Sequence, residues 1–375
     1  MAPTVGVATL PQINIELAEY SELFMTIAAF IYTLAFILFT LDTAKSSSTI
    51  RRIETELTEE NQRITIEDRQ LASHAAGSSS PGVVSGASSP GEHHLPPLDS
   101  SDLADEDMAY LGTPRPLANT AIALTLIAVA AHAFAVIARG VAATRWPLGN
   151  MYEFLVGAAL IVALVYLLAL LRRDLRFIGT FVLGLVVAMM VAATIGFPTP
   201  IGHVQPALQS PWLAIHVSLA VLSIGLFVLT FAMSVLQLLQ SRREKALALG
   251  TVSGWDGFLA RRQFMRLVPQ ALSLENWAYR INTVAFVFWT LGPMITGAIW
   301  ARESWGRYWG WDTKEVWTFV IWVVYAGYLH ARATRGWTGT RSAWLSIIGF
   351  GCIIFNYAVV NVYFPGLHSY AGLPE

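Results

Sequence analysis

The sequence predicts an all-α integral membrane protein with about eight transmembrane helices, and three observations carry that prediction. Of 375 residues, 55% are hydrophobic and 13% charged, against roughly 45–50% and about 25% in a soluble domain. The apolar residues gather in runs long enough to cross a bilayer core as helix, which takes about 20 residues. The basic residues fall unevenly between the segments that join those runs. A net charge of −1 supplies no global pull toward nucleic acid. A single cysteine, Cys352, excludes a disulfide-stapled scaffold, a Cys-rich zinc or iron–sulfur site and a CxxC redox pair within this chain.

Eight stretches meet the length requirement: Glu22–Leu41, Ala118–Ile137, Met151–Leu171, Phe177–Gly196, Trp212–Leu239, Ile281–Trp300, Val316–Ala331 and Trp344–Tyr363. The first does not read as a secretory signal, because Glu16, Glu19 and Glu22 stand where a signal carries positive charge. The seventh is slightly short, but its apolar character continues from a Trp-rich loop. Barrel strands are excluded, being about half this long and alternating in polarity.

Sidedness follows from Lys and Arg, which concentrate in inner segments. With the N-terminus outside, the inner segments 42–117, 172–176, 240–280 and 332–341 hold 19 basic residues and the outer segments five. Both termini are therefore expected on the extracytoplasmic side of the plasma membrane, together with the loop between the sixth and seventh spans.

The expected organisation is an N-terminal transmembrane helix (1–41), a cytoplasmic, largely disordered linker (42–117), and a seven-helix body (118–375). Arg51 to Gln70 is highly charged and compatible with an exposed helix. From Ser78 to Ser101, eight of 24 residues are Ser, and Asp102, Asp105, Glu106 and Asp107 follow. Such a segment buries too little apolar surface to offset its ordering entropy. No internal repeat stands out, and the linker is read as separating a lone first span from the body.

Histidine placement is the informative feature. His74, His93 and His94 lie in the linker, where no rigid frame positions further ligands. His132, His203, His216, His330 and His368 lie in or beside spans, where ionisable side chains are rare and usually functional. His216 is four residues into the fifth span, about 6 Å of helix rise below Trp212 and close to the outer surface. His368 is in the outer tail, so two histidines from opposite ends of the body converge on the outer side. His203 sits among Pro198, Pro200 and Pro206 and reads as an ordinary loop residue. His330 lies 18 residues past Asp312, about 27 Å deeper along the seventh span and near the inner face. His132 lies two-thirds of the way outward along the second span, open between core hydrogen bonding and a supporting role.

The outer loop 300–317 holds Trp300, Trp305, Trp309, Trp311, Trp317 and Tyr308. Aromatic belts anchor helix ends at both membrane surfaces, but a belt takes one or two such residues per helix end. Gly306 and Gly310 let backbone and rings approach a flat partner, and Arg302, Arg307 and Lys314 offer cations to carboxylates. Haem is the flat, apolar, carboxylate-bearing ligand that accepts two axial imidazoles, stacks on aromatics and presents propionates to cations. Cys352, mid-membrane, reads as a packing residue.

The segment Trp305-Gly-Arg-Tyr-Trp-Gly-Trp-Asp-Thr-Lys-Glu315 resembles the tryptophan-rich WWD signature of the haem-handling protein superfamily. Trp146-Pro-Leu-Gly-Asn-Met-Tyr-Glu153 and Pro206-Ala-Leu-Gln-Ser-Pro-Trp212 running into His216 narrow the resemblance, as do Tyr328-Leu-His330 and Trp344-Leu-Ser-Ile-Ile-Gly-Phe350. With Phe355-Asn-Tyr357, Asn361 and Gly366-Leu-His-Ser-Tyr-Ala371, they resemble the CcsA/ResC subunit (CcsB in actinobacteria) of the system II cytochrome c synthase. The likeness runs from about residue 118 to 375. Thr313, Arg302 and Pro211 depart from the residues common in that family.

The resemblance implies cytochrome c biogenesis: transmembrane delivery of haem b and its presentation for thioether attachment to the CxxCH segment of an extracytoplasmic apocytochrome c. It implies a synthase (haem lyase-type) subunit that acts with a ResB-type membrane subunit and a thiol-reducing thioredoxin-like protein. His216 and His368 map to axial ligands of haem at the outer face, flanking Asp312. His330 maps to a deeper haem site whose second ligand the ResB-type partner supplies. Trp305, Trp309 and Trp311 are expected to frame the macrocycle, Arg307 to meet a propionate, and Asp312 and Glu315 to fix the loop. A haem exporter without ligation activity and a membrane b-type cytochrome are the alternative readings. A solute transporter ranks below them, since no Asp or Glu stands mid-span.

Overall fold

The computed structural model describes residues 12–76, 115–250, 253–260, 262–334, 337–364 and 366–368. Among the described residues all regular structure is helical. The chain begins with an antiparallel pair, α1 (Ile15–Ala76) and α2 (Pro116–Ala142). The buried positions of α1 among the described side chains are Ser21, Met25, Ala28, Tyr32, Ala35, Phe39 and Asp42; those of α2 include Ala118, Ala121, Thr125, Ala128, His132, Ala135, Arg139 and Ala142. Both sets alternate steps of three and four, the seven-residue repeat that keeps one seam of each helix facing the other. Alanine dominates the α2 seam, so the two backbones approach closely. Polar contacts fix the register at both ends: Ser21 Oγ donates to the Ala135 carbonyl at 2.8 Å. Asp42 pairs with Arg115 and accepts from the Ala118 N–H at 3.2 Å. Leu23, Ile27, Phe30, Leu34, Ile37 and Leu41 form the opposite, exposed face.

Two expectations are corrected here. The first span is not alone, because its seam joins the core of the bundle against α2 and α4. Its helix also runs on to Ala76, so the expected linker boundary after residue 41 falls inside a helix. The Ser-rich and acidic segment lies outside the described residues.

A buried ion cluster closes the turn from α2 into α3 (Met151–Leu170). Glu153 accepts from Arg139 Nε at 2.9 Å, from Arg145 at 2.7 and 2.8 Å, and from the Gly149 N–H at 2.7 Å. Arg139 also donates to the Thr199 carbonyl at 2.7 Å, and Arg145 to that of Gly202 at 2.9 Å. Three segments are thereby tied to one carboxylate. Asn150 caps α3 by accepting from the Glu153 N–H at 2.9 Å.

Next come α4 (Gly179–Val191), which ends in a π-helical stretch over Ala192–Gly196, and α5 (Pro211–Ala248). The short α6 (Gly254–Ala260) precedes α7 (Ala271–Trp289), which passes through a π-helical stretch, Thr290–Thr296, into α8 (Gly297–Trp305). α9 (Thr313–Ala333) and α10 (Thr340–Phe355) follow, the latter continuing as π-helix Asn356–Val360 and α11 (Asn361–Tyr363). The hub is α5, which packs on α3, α7 and α10 and is the most buried apolar helix. Phe227 of α5 stacks on Tyr325 of α9 with centroids 3.8 Å apart. Buried polar side chains in this core pair with one another: Thr230 donates to Asn282 at 2.7 Å, and Asn282 to Ser346 at 3.2 Å.

Seven of the expected spans are helices long and apolar enough to cross a membrane, Ala271–Trp305 forming one of 35 residues. The eighth, α9, has 21 residues, about 31 Å of rise, but its Trp, Tyr and charged residues make it less apolar.

Candidate functional site

Two π-helical stretches and one aromatic loop build the site. At the end of α8, Gly306 takes the left-handed conformation (φ 75°), and its N–H bonds the Arg302 carbonyl at 3.0 Å, stopping the helix. The chain turns through 306–312 and re-enters helix at α9. There the Glu315 carboxylate reaches back to accept from the N–H groups of Gly310 (2.8 Å) and Asp312 (3.1 Å). Trp311 is held at φ 58°, a backbone region costly for a bulky residue.

His216 enters from the first turns of α5. Its Nδ1 lies 3.3 Å from the Gly292 carbonyl, which the π register also presents to the Gly297 N–H. Gly297 is required by this approach, since a Cβ there would stand 2.8 Å from His216 Nδ1. The imidazole stacks on Trp300 with centroids 5.7 Å apart and planes 11° apart. Trp300 is anchored by its Nε1–H to the Ala207 carbonyl at 2.9 Å.

His368 arrives from the tail after α11. Its Nδ1 donates to Asp312 Oδ2 at 2.7 Å, and its ring meets Trp305 and Trp300 edge-on at 5.0 and 5.5 Å. That hydrogen bond holds the Asp312 carboxyl below the usual carboxylate range. Gly366 is packed against the same carboxylate, where a Cβ would sit 2.1 Å from Oδ1. His216 and His368 thus border one cavity, together with Trp300, Trp309, Lys314 and Asn356. Its volume is about 60 Å³, the share of roughly two water molecules. Lys314 donates to Asn361 Oδ1 and lies 4.6 Å from the Tyr357 ring centre, so the partners it touches are neutral.

The structure brings together His216, His368, Asp312, Trp300, Trp305, Trp309 and Lys314, and leaves Trp311, Arg307, His132, His330 and His203 elsewhere. Trp311 is 74% exposed and touches the site only through an edge contact with Trp309 at 6.0 Å. Arg307 packs beneath Gly310 on the outside of the loop. His132 occupies the α1–α2 seam, edge-on to Tyr32 at 5.8 Å. His330 is exposed at the far end of α9, and His203 is exposed in its loop. Among the described residues no three His, Cys, Asp or Glu side chains gather as a metal site.

Sequence reasoning counted Trp300 only as one of the loop aromatics and Gly366 only as part of a family motif, and it passed over Gly297 and the carbonyl of Gly292 as parts of the site. The available signal was Gly292-Pro293 inside an apolar span, a dipeptide that interrupts regular helix.

The fold and this cavity define a polytopic membrane protein with a paired-histidine pocket at one end of its bundle. Residues 148–368 match the model of the cytochrome c assembly protein family, and the chain belongs to that family, in its CcsA-type branch. It is 35% identical over 252 residues to the cytochrome c biogenesis protein CcsA of Heterosigma akashiwo, covering 61% of this chain and 77% of that protein. Against the CcsA of Synechococcus elongatus it is 34% identical over 265 residues, 62% of this chain and 81% of the other. Against that of Trachelium caeruleum it is 33% identical over 257 residues, with 62% and 81% covered. The chain is a multi-pass membrane protein with a role in cytochrome c biogenesis. The matched region leaves out α1 and α2.

Proposed function

We propose that this chain receives haem b as its substrate, holds the iron between His216 and His368 on the extracytoplasmic side, and presents the porphyrin to an apocytochrome c. One observation carries the reading. Both imidazoles have Nδ1 engaged, His216 with the Gly292 carbonyl and His368 with Asp312, and both border the same cavity. An imidazole bonded through Nδ1 to a carbonyl or carboxylate is oriented to offer Nε2 to a metal, and the carboxylate raises its basicity.

The donor set and aromatic walls suit haem, but a cavity of about 60 Å³ is far too small for a porphyrin. Loading therefore requires the aromatic loop and the tail to part. Among the described residues the tail is tied at this point through Asp312, which accepts from His368 Nδ1 and from the Leu367 N–H, and the tail is the element that yields. Lys314, half-buried, with Asn361 and Tyr357 as the side chains it touches and the Asp312 carboxylate as a nearby opposite charge, faces the cavity. It is the cation placed to meet a propionate, in preference to Arg307.

The ligation adds each cysteine S–H of the CxxCH segment across one haem vinyl: a C–S and a C–H bond form, the C=C becomes a single bond, and no net oxidation occurs. The chain's contribution is orientation of vinyl against thiol. The apocytochrome histidine then replaces one of the two enzyme imidazoles. In this reading α9 is the eighth span and both termini lie outside. His330 serves a deeper haem site completed by a ResB-type subunit, for which its exposure leaves the face of α9 available.

The test is the absorption spectrum of the purified full-length chain, alone and with its partner subunit. His216→Ala and His368→Ala are expected to lose the six-coordinate low-spin bands, and added imidazole to restore them in part. Unchanged spectra in both variants would falsify the assignment. Co-expression with an apocytochrome followed by a covalent-haem stain separates a synthase from an exporter.

A further inference from the structure

A second, wider cavity lies beside the histidine cavity, at the same end of the bundle. Its volume is about 1000 Å³, at the top of the range of about 300–1,000 Å³ typical of small-molecule sites. Val136 and Ile137 of α2, Leu160 and Ile161 of α3, and Val221 of α5 form its sides. Residues of the loops 143–148 and 203–209 line its outer end. The seam of α2 is committed to α1 while α3 packs on α4 and α5, which leaves Ile137 and Val141 exposed along the opening. In α3, Gly157 faces the same space, and a Cβ there would meet nothing within 4 Å. Glycine weakens a helix interior, and no described neighbour requires it here, so bare backbone faces the cavity.

The two cavities share a wall. His216 borders the smaller one, and Ser218, about 200° further around α5, borders the larger. Leu208 lines the larger cavity and packs with Leu213 against Trp300. Trp300 is held by the neighbouring Ala207 carbonyl and stacks on His216.

The polar lining selects the ligand. Arg145, the one Lys or Arg among the described lining residues, is committed to Glu153 and to the carbonyls of Gly202 and Trp146. His203 is exposed at the rim, and its backbone is tied on both sides. The Gly202 carbonyl accepts from Arg145 Nε at 2.9 Å, and that of Val204 from Gln209 Nε2 at 3.2 Å. An apolar slot that offers an imidazole and no unengaged guanidinium suits a metalloporphyrin better than a phospholipid head.

We infer that this cavity is a receiving site for haem, with His203 as single axial ligand to the iron and Gly157 and Leu160 against the ring. The inference rests on the reading that the chain takes haem. It supplies what the cavity of about 60 Å³ lacks, room for a porphyrin before the aromatic loop and the tail part. A ligand that shifts Leu208 acts on Trp300, and so on His216, through the shared wall.

The test uses the full-length protein in nanodiscs, carrying His216→Ala, His368→Ala and His330→Ala so that the other proposed ligands are absent. Added haem is expected to bind with the absorption spectrum of one axial imidazole, and His203→Ala in that background to abolish it. Metal-free protoporphyrin, followed by quenching of tryptophan fluorescence, should bind the otherwise wild-type chain equally with and without His203→Ala. Gly157→Leu, whose side chain enters open space, should weaken binding of both porphyrins. Absence of haem binding in the triple variant, or binding that His203→Ala leaves unchanged, overturns the proposal. So does unchanged affinity for both porphyrins in Gly157→Leu, or an equal loss of both in His203→Ala. The His216 and His368 spectra judge the proposed function and the His203 and Gly157 variants judge this site, so the two failures are told apart.

Discussion

Nδ1 of His368 donates to Asp312 Oδ2 across 2.7 Å, joining a tail residue to the N-cap of α9, 56 positions earlier in the chain. The bond sets the tautomer of the imidazole and ties the tail over the aromatic loop. Asp312→Ala is expected to lower haem retention about 10–100-fold, the usual cost of removing a carboxylate behind a ligating histidine. Asp312→Asn, which keeps an acceptor oxygen, should lose less. Haem titration followed by absorbance orders the three proteins; equal retention in all of them removes Asp312 from the site.

Gly366→Ala tests the same contact from the other side. Its Cβ would stand 2.1 Å from Asp312 Oδ1, so the carboxylate or the tail must move. The variant should reproduce the Asp312→Ala spectrum while folding normally.

At His216 the corresponding probe is Gly297→Ala. Alanine favours helix over glycine by up to about 1 kcal/mol, so a loss here is steric, from a Cβ 2.8 Å from Nδ1. Weakened haem binding with partial rescue by imidazole is expected. Gly327→Ala in α9, where a Cβ meets nothing within 4 Å, is the control and should stay within about 0.5 kcal/mol of wild type in unfolding.

Lys314→Met should weaken binding of haem and leave binding of its dimethyl ester, which lacks the carboxylate charges, at the wild-type level. If both porphyrins lose affinity equally, the lysine acts through packing. If Arg307→Met discriminates between them and Lys314→Met does not, the cations are assigned the wrong way round.

Ala28→Leu, in the α1–α2 seam, is expected to destabilise the protein by about 1–3 kcal/mol through overpacking. Ile27→Leu on the exposed face should be silent. Unfolding in detergent with denaturant reads both. Equal stability of the two variants would mean that α1 is the detachable span its sequence position suggested.

The helices and the gathering of polar chemistry at loop 300–317 were legible in the sequence, because spans announce themselves by length and hydropathy and polar residues in lipid are costly. His216 and His368 stood out for that reason, and Asp312 through the likeness of its loop to a family motif. The seven-residue seam of α1 and α2 was also written in the sequence, at 21, 25, 28, 32, 35, 39 and 42. It went unread because apolar residues surround the whole helix, and hydrophobicity then no longer marks a face.

What the sequence by itself determined is an all-helical membrane protein of a cytochrome c biogenesis family, with histidines at its two ends. Only the tertiary structure decided which groups share a cavity: Trp300 and Lys314 line it, Trp311 and Arg307 stand outside it, and His132 belongs to a packing seam. The physical reason is that a helix side chain's direction depends on local register. Two π-helical stretches, Thr290–Thr296 and Asn356–Val360, shift that register beside the site, and a left-handed Trp311 turns one ring of the loop away.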